Sequence, residues 1–196
     1  MPRPATDLRA RVLGAARTAF DGRGFDGTSL RAIARGARTT IGMIYYYFPT
    51  KDALWDGVID DVYQRFLRDF GALLDGPGPL RDRLRRIAVH IGGLGDDERT
   101  VIRMVLRDAL TSTERRQRLF ARFAHGHIPL VHAAVARAQA AGELVRAPTP
   151  MVMFAVGVTI VGGQLLMGHL ALPGLPAGDQ RIETALALLF DGIAAP

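Results

Sequence analysis

The sequence predicts an all-α protein of about nine helices, with a three-helix N-terminal domain joined by a long helix to a larger helical body. Few stretches alternate polar and apolar residues with a period of two, so little indicates strands. Apolar residues instead recur every three or four positions. Ser, Thr, Gly and Pro stand where such helices would begin and end.

The first four helices follow from these signals. Thr6 is placed to cap the first, whose apolar face includes Val12 and Phe20 and which ends at Gly22 and Gly24. The second is predicted over 29–35, capped by Thr28 or Ser29, and the third over 40–47, capped by Thr40. Thr50 begins a long fourth helix that ends at the Gly-Pro-Gly-Pro run of 76–79.

Five further helices are predicted in the body, with Gly126 and Pro129 kinking the third of them. They span about 79–94, 98–110, 113–141, 149–171 and 179–194. The chain is predicted to form two domains, a three-helix N-terminal domain over 1–51 and a helical body over 52–196.

The net charge of +6 is concentrated near the N-terminus. Residues 1–51 hold nine basic and three acidic residues, whereas the remaining 16 basic and 16 acidic residues cancel. A basic module on a neutral body indicates a polyanionic partner, most often nucleic acid, although a solvated basic face is the alternative. Lys51 is the only lysine in the chain.

Composition narrows the function classes further. The chain has no cysteine, which excludes disulfides, thiolate catalysis and Cys-based zinc sites. The first residues are charged and lack an apolar signal-peptide core, so we expect a cytoplasmic protein. No phosphate-binding loop, G-x-S-x-G or H-E-x-x-H motif is present, which argues against an enzyme.

Two short helices joined by a tight break, in a basic setting, are typical of a helix-turn-helix motif. Ala34 provides the small residue that close packing needs, and Ile33, Ala37 and Ile44 are the predicted contacts between the helices. In this motif the second helix enters the major groove of DNA.

Residues 11–54, RVLGAARTAFDGRGFDGTSLRAIARGARTTIGMIYYYFPTKDAL, resemble the DNA-binding domain of the TetR family of transcriptional regulators. The matching features are AF before a glycine, GF-x-x-TS, R-x-I-A, the aromatic run 45–48 and the P-T-K-D-A-L segment. They occur in the family's order and spacing. Beyond residue 75 only the general layout is similar.

The resemblance implies a homodimeric regulator that binds operator DNA and responds to a small molecule. It makes residues 1–51 a helix-turn-helix DNA-binding domain and residues 52–196 a ligand-binding and dimerisation domain. Ile44 and Phe48 face the core, whereas Tyr45 and its neighbours are available to the DNA backbone, bases and sugars; packing in the core is the alternative for Tyr47. The implied DNA-binding residues are Ser29, Arg31, Arg38, Thr39, Thr40, Ile41, Gly42, Met43, Tyr45, Tyr46, Tyr47 and Lys51.

Two residues depart from the family pattern. Arg38 stands in the turn where the family usually has glycine, so either the turn is reshaped or a left-handed arginine is tolerated. Ile41 replaces a residue that is often polar or basic, and it can pack on a thymine methyl but cannot hydrogen-bond a base.

Residues 147–178 contain no charge, which raises three interpretations of the segment from Pro150 to Leu172. A membrane span is disfavoured by Gln164, His169 and several glycines. A buried core helix and a subunit interface remain, and the family layout favours the interface. The predicted dimer residues are Val158, Val161, Gly162, Leu165, His169, Leu186, Leu189 and Phe190.

An apolar or aromatic effector is expected to bind among the fourth to eighth helices. Candidate pocket residues are Phe66, His90, Met104, Phe120, Phe123, His127 and Phe154, for each of which ordinary core packing is the alternative. No cofactor and no metal are predicted, because His125 and His132 share a face but lie about two turns apart, ~10 Å.

The leading hypothesis is therefore a repressor released from its operator by a small molecule. The alternative is a helical small-molecule-binding protein whose helix-turn-helix domain has lost specific DNA binding. Arg38 and Ile41 are the residues that support it.

Overall fold

The computed structural model describes residues 5–166 and 173–192, and the side chains of 7–164 and 173–192. Every regular element in the described ranges is helical, which confirms the all-α prediction. The chain divides into two compact units, Met1–Phe66 with Gly95–Ala121 and Leu67–Leu94 with Arg122–Pro196. The functional boundary predicted at residue 51 stays a prediction.

The helices follow the predicted order with small shifts at their ends. They are α1 Ala5–Arg23, α2 Leu30–Gly36, α3 Ile41–Tyr47, α4 Lys51–Leu74, α5 Leu80–Gly92, α6 Asp96–Thr111, α7 Thr113–Ala124, α8 His127–Ala140, α9 Thr149–Val156, a π-helical segment Gly157–Gly162, α10 Gly163–Leu166 and α11 Gly178–Phe190.

The single kinked helix predicted over 113–141 is wrong, since α7 and α8 are separate. Gly126 has φ −110° and ψ −111°, which is far from helical. Pro129 lies in the first turn of α8, where a missing N–H removes no intrahelical hydrogen bond. The glycine therefore breaks the helix and the proline is accommodated at the new start.

The helix predicted over 149–171 is interrupted by a π-helical segment and is not α-helical throughout. Gly157 and Gly163, at the two ends of the π-helical segment, both have right-handed helical dihedrals, so α9 continues through this segment into α10. A π-helical stretch within an α-helix is uncommon. The part of the prediction beyond 166 lies outside the described residues.

The core of the first unit is formed by apolar side chains of α1, α2, α3, α4 and α6. Val12, Ala16 and Phe20 of α1 are fully buried, as are Ile33 of α2 and Ile44 of α3. From α4 the buried side chains include Leu54, Trp55, Val58, Ile59, Val62 and Tyr63. These positions span more than one side of α4, so this helix is covered on more than one side.

The second unit has its own core around α5. Leu80, Leu84, Ile87, Ala88 and Ile91 are buried, and α8, the π-helical segment and α11 pack against this helix. Arg81 Nη1 lies 3.2 Å from Asp191 Oδ1, and Arg85 pairs with Glu183. These ion pairs connect α5 with the middle of α11 and with its C-terminal end.

Among the described residues no helix combines the length and the apolar character that crossing a membrane requires.

Candidate nucleic-acid interface

Helices α2 and α3 form a helix-turn-helix whose inner side is apolar. Ile33, Ala34, Ala37 and Ile44 are all buried, as the sequence predicted. Helix α1 packs on α2, and α2 packs on α3. The opposite sides of α2 and α3 therefore have a fixed orientation and take no part in the core.

Side-chain hydroxyls begin the helices of this motif. Ser29 Oγ accepts from Ala32 N–H at 3.2 Å and Thr40 Oγ1 accepts from Met43 N–H at 3.2 Å. Each cap uses a lone pair of the hydroxyl oxygen, which leaves its hydrogen able to donate to a phosphate. Both residues are exposed, so capping and DNA contact are compatible.

The turn after α2 keeps a left-handed residue, and that residue is Arg38, with φ +51°. Arg38 N–H donates to Arg35 O at 3.1 Å and Thr39 N–H donates to Ala34 O at 3.0 Å, the hydrogen-bond pattern of a Schellman motif. A non-glycine residue in this conformation costs roughly 1–2 kcal/mol. The sequence left two alternatives, a reshaped turn or a left-handed arginine. The structure has the left-handed arginine.

The aromatic run 45–48 divides between the core and the surface. Phe48 is buried, whereas Tyr45 is 50% exposed, Tyr46 is 76% exposed and Tyr47 is half-buried. The Tyr46 and Tyr47 ring centroids lie 5.1 Å apart, edge to face. Tyrosines that remain exposed beside the turn offer hydroxyls and ring faces to a ligand.

Phe48 fixes the end of α3 against α4. A Cβ added at Gly57 would lie 2.7 Å from Phe48 Cε1, so the ring occupies the space that only glycine leaves. The Arg9 guanidinium also lies over this ring, 5.5 Å from its centroid. This contact sets the position of α3 relative to α4.

We call the outward side of α2, the turn and α3 the reader face. Arg31, Arg38 and Gly42 are exposed there, while Thr39, Ile41 and Met43 are half-buried. Among the described residues, Arg31, Arg35 and Arg38 have no carboxylate partner within 4.0 Å. The reader face thus presents positive charge that the protein itself leaves uncompensated. The predicted DNA-binding residues from Ser29 to Tyr46 lie in this region.

Lys51 packs against an aromatic ring instead of extending freely into solvent. It is half-buried, and its Nζ lies 4.5 Å from the Phe25 ring centroid. Phe25 in turn packs edge-on against Trp55, with ring centroids 5.7 Å apart. Sequence reasoning did not assign a role to Phe25 beyond its place in the GF motif.

Four arginines of α6 and α7 bind carboxylates or carbonyls of α1, of the loop before α2 and of α4, and we call them the α6–α7 arginines. Arg103 pairs with Asp21 at 3.3 Å, Arg115 with Asp26 at 3.2 Å and Arg118 with Asp52 at 2.6 Å. Hydrogen bonding to Asp52 raises the pKa of the Arg118 guanidinium. These pairs compensate three carboxylates of the first unit.

Arg107, the fourth of these arginines, caps the end of α1. Its guanidinium donates to Phe20 O at 2.6 Å and to Asp21 O at 2.8 Å. Phe20 O also accepts from Gly24 N–H at 2.9 Å, so Arg107 adds a second hydrogen bond to this carbonyl and binds Asp21 O in the last turn of α1. No sequence pattern indicated the α6–α7 arginines, because their partners lie some 66 to 89 residues earlier in the chain.

The predicted effector residues are spread over both units. In the first unit, Met104 is fully buried, Phe66 lies 6.3 Å from the Tyr63 ring and Phe120 is exposed. In the second unit, the Phe123 and His127 rings lie 4.6 Å apart.

The histidine and phenylalanine candidates of the second unit have different surroundings. Burial lowers the pKa of His127. His90 Nε2 lies 4.0 Å from Asp69 Oδ2. Phe154 is 67% exposed. Of the effector candidates in this unit, Phe123 and His127 are the pair whose rings are in contact.

Most of the predicted dimer residues that are described keep some surface. Val158 is exposed, and Val161, Gly162, Leu189 and Phe190 are partly exposed. Leu186 is a correction, since its side chain is fully buried against its own unit and has no area left for a partner. The Leu165 side chain and His169 lie outside the described residues.

Within the described residues, no three His, Asp or Glu side chains are grouped so that they could hold a metal ion.

The segment that contains the helix-turn-helix is similar to known DNA-binding regulators. Residues 12–58 match the family model for bacterial regulatory proteins, tetR family. The HTH-type transcriptional regulator UidR of Escherichia coli (strain K12) is 33% identical over 76 residues, which cover 39% of this chain and 39% of UidR. The match thus spans about two-fifths of the length of this curated relative.

Two solved structures share the fold over almost the whole chain. The transcriptional regulator FadR from Bacillus subtilis, in complex with stearoyl-CoA, is 17% identical with a TM-score of 0.76, covering 94% of this chain and 99% of FadR. AibR, in complex with isovaleryl coenzyme A and operator DNA, is 21% identical with a TM-score of 0.71, covering 95% of this chain and 100% of AibR. Residues 12–58 are thus similar to the tetR family of bacterial regulatory proteins, and these two neighbours share the fold of the chain.

Proposed function

We propose that this protein is a sequence-specific DNA-binding transcriptional regulator, and that it acts as a repressor released from its operator by a small molecule. The observation that carries the proposal is the reader face. Its exposed arginines have no carboxylate partners in the described part of the chain, and exposed tyrosines and hydroxyls lie beside them. This combination suits phosphate and base contacts.

Arg31 is our candidate for direct base reading. It is exposed in the first turn of α2, and a guanidinium can donate two hydrogen bonds to guanine. Ile41 supplies an apolar contact for a thymine methyl. An added Cβ at Gly42 would meet only Thr40 Oγ1, at 3.8 Å, so the fold itself does not require glycine there. A close approach of DNA would account for it.

A homodimer is part of the proposal, because a two-fold pair of reader faces would match two half-sites about one DNA turn apart. Met151, Phe154 and Val158 recur at i, i+3 and i+7 and are all exposed. Leu188 of α11 is exposed as well and takes the place of Leu186 in the proposed interface. The exposure of Phe154 thus favours the interface over the effector pocket.

An acyl-coenzyme A thioester is the effector class to test first. Two fold neighbours were solved with such a ligand, and the apolar effector expected from the sequence is compatible with an acyl chain. Release of DNA requires that the effector bind the DNA-free state more tightly than the DNA-bound state.

Binding to duplex DNA from upstream of the protein's own gene tests the main proposal, with scrambled duplex as control and several salt concentrations. We expect preference for the upstream duplex and an affinity that falls steeply with salt. Equal weak binding to both duplexes calls for selection from random DNA. Failure to enrich any sequence would refute the repressor proposal. It would favour a small-molecule-binding protein that has lost specific DNA binding.

Two further measurements test the finer parts. Sedimentation should give the mass of a dimer, and Phe154→Asp should shift it towards the monomer, since a buried charge opposes association. Adding acyl-coenzyme A of several chain lengths to the protein–DNA complex should release the duplex. No release by any chain length would remove this effector class.

A further inference from the structure

The Phe25 ring in the first unit contacts two cations. Lys51 Nζ lies 4.5 Å from its centroid, and the Arg115 guanidinium lies 4.7 Å from the same centroid. Both distances are within the range of cation–π attraction. Two like charges beside one ring also repel each other, so something must compensate one of them.

Carboxylates compensate Arg115 but not Lys51. Arg115 Nε lies 3.0 Å from Asp108 Oδ2, and its Nη2 donates to Asp26 Oδ2 at 3.2 Å. Among the described residues no carboxylate lies within 4.0 Å of Lys51. The ring therefore holds one neutralised cation and one cation that is still able to attract an anion.

The ring itself has a fixed position. Phe25 stacks on Phe20 with centroids 5.8 Å apart and meets Trp55 edge-on at 5.7 Å. Phe20 and Trp55 are both buried. On the other side, Asp108 is only 4% exposed and secures Arg115 over the ring.

A lysine side chain normally loses considerable rotamer freedom when it binds a phosphate. A lysine already held against a rigid ring has given up part of that freedom before DNA arrives, which favours binding. Lys51 begins α4, directly after the Thr50 cap that follows the reader face.

We propose that Phe25 is a positioning residue, which orients Lys51 for the phosphate backbone, and that Asp108 acts through Arg115 to hold the Phe25 ring in place. This inference rests on the proposed DNA binding. It gives a role to a ring that does not touch the DNA and to an ion pair on α6 and α7.

Because Lys51 is the only lysine, growth on ¹³C-labelled lysine labels this single side chain. In the DNA-free protein the ring current of Phe25 should shift the Lys51 Hε signals upfield. Phe25→Leu should abolish this shift, Phe25→Tyr should retain it and Arg115→Met should reduce it. The matched control is Arg103→Met, which removes another α6–α7 arginine that does not contact the ring, and it should leave the signal unchanged.

DNA binding supplies the second readout, using the wild-type protein, Lys51→Ala, Phe25→Leu and the double variant. Lys51→Ala should lower the slope of log affinity against log salt by about one for each phosphate that the protein no longer neutralises. Phe25→Leu should weaken binding about two- to fivefold, the equivalent of an exposed cation–π interaction. The double variant should bind no more weakly than Lys51→Ala.

The outcomes separate this inference from the proposed function. A wild-type protein that binds no selected DNA refutes both, and this is read without any variant. If the wild-type protein binds DNA, multiplicative losses in the double variant would overturn the positioning role. A Lys51 signal that does not respond to Phe25→Leu would overturn it as well.

Discussion

Arginines on two faces of the first unit have the same charge but different partners. On the reader face, Arg31, Arg35 and Arg38 are exposed and have no carboxylate partner in the described ranges. On α6 and α7, the α6–α7 arginines bind carboxylates or backbone carbonyls. Both sets are arginine-rich helical segments. The excess of basic residues over acidic ones in 1–51 singles out the first set in the sequence, but nothing in the sequence showed which groups the second set binds.

The difference lies in what each charge can do. A guanidinium bound to a carboxylate has no net attraction left for a polyanion and instead fixes two helices together. A guanidinium in water without a partner contributes to long-range attraction and can exchange counterions for phosphate. The α6–α7 arginines are therefore structural, and the reader-face arginines remain able to attract a polyanion.

Removing the buried charge between α6 and α7 should have the largest effect on stability. Asp108→Asn should lower the free energy of unfolding by about 3 kcal/mol, because it leaves the Arg115 charge without its buried partner. Urea unfolding followed by circular dichroism measures this. Asp26→Asn removes the exposed partner of the same arginine and should cost less than about 1 kcal/mol. Equal small losses would contradict a structural role for the buried pair.

Changing a reader-face arginine should affect DNA binding instead. Arg31→Ala should lose about 1–3 kcal/mol of binding free energy for the preferred duplex, with unfolding changed by less than about 0.5 kcal/mol. Fluorescence anisotropy at fixed salt measures the affinity. Arg116→Ala is the control, since Arg116 hydrogen-bonds only near its own helix, to Ala109 O and Thr113 Oγ1. Similar losses in both variants would remove the distinction between the faces.

Arg38 should show opposite effects on stability and binding. Arg38→Gly relieves the left-handed strain, so the free energy of unfolding should rise by about 1 kcal/mol after allowing for the greater freedom of the unfolded chain. Affinity for DNA should fall, because an unpaired charge leaves the reader face. If both quantities rise, Arg38 does not contact DNA.

The smallest effect concerns His127, which lies in the second unit and outside both faces. Its pKa is lowered by burial from the ordinary value near 6.5, so the unfolded chain binds a proton more readily than the folded one. The free energy of unfolding should therefore decline as pH falls below about 6.5, by about 1.4 kcal/mol for each unit of lowering.

The matched variant for this titration is His127→Gln, whose unfolding should depend less on pH over the same window. DNA affinity at neutral pH should be similar in both proteins. A steeper decline in His127→Gln than in the wild type would contradict the sign of the shift.

Sequence alone determined the local features of this protein. The caps at Ser29, Thr40 and Thr50 and the buried positions of Ile44 and Phe48 were all predictable, because they depend on neighbours within four residues. The family motif extends the same local agreement over residues 12–58.

The tertiary structure decided which distant residues meet. Arg115 reaches Asp26 from 89 residues away, and no periodicity or motif connects the two. Whether Gly126 kinks a helix or ends it, and whether Leu186 faces a partner or its own core, likewise depends on the packing of other helices. Arg38 depends on both the sequence and the tertiary structure. The motif identified position 38 as the one that usually has a left-handed residue. Only the structure showed that Arg38 adopts the left-handed conformation there, at the cost of strain.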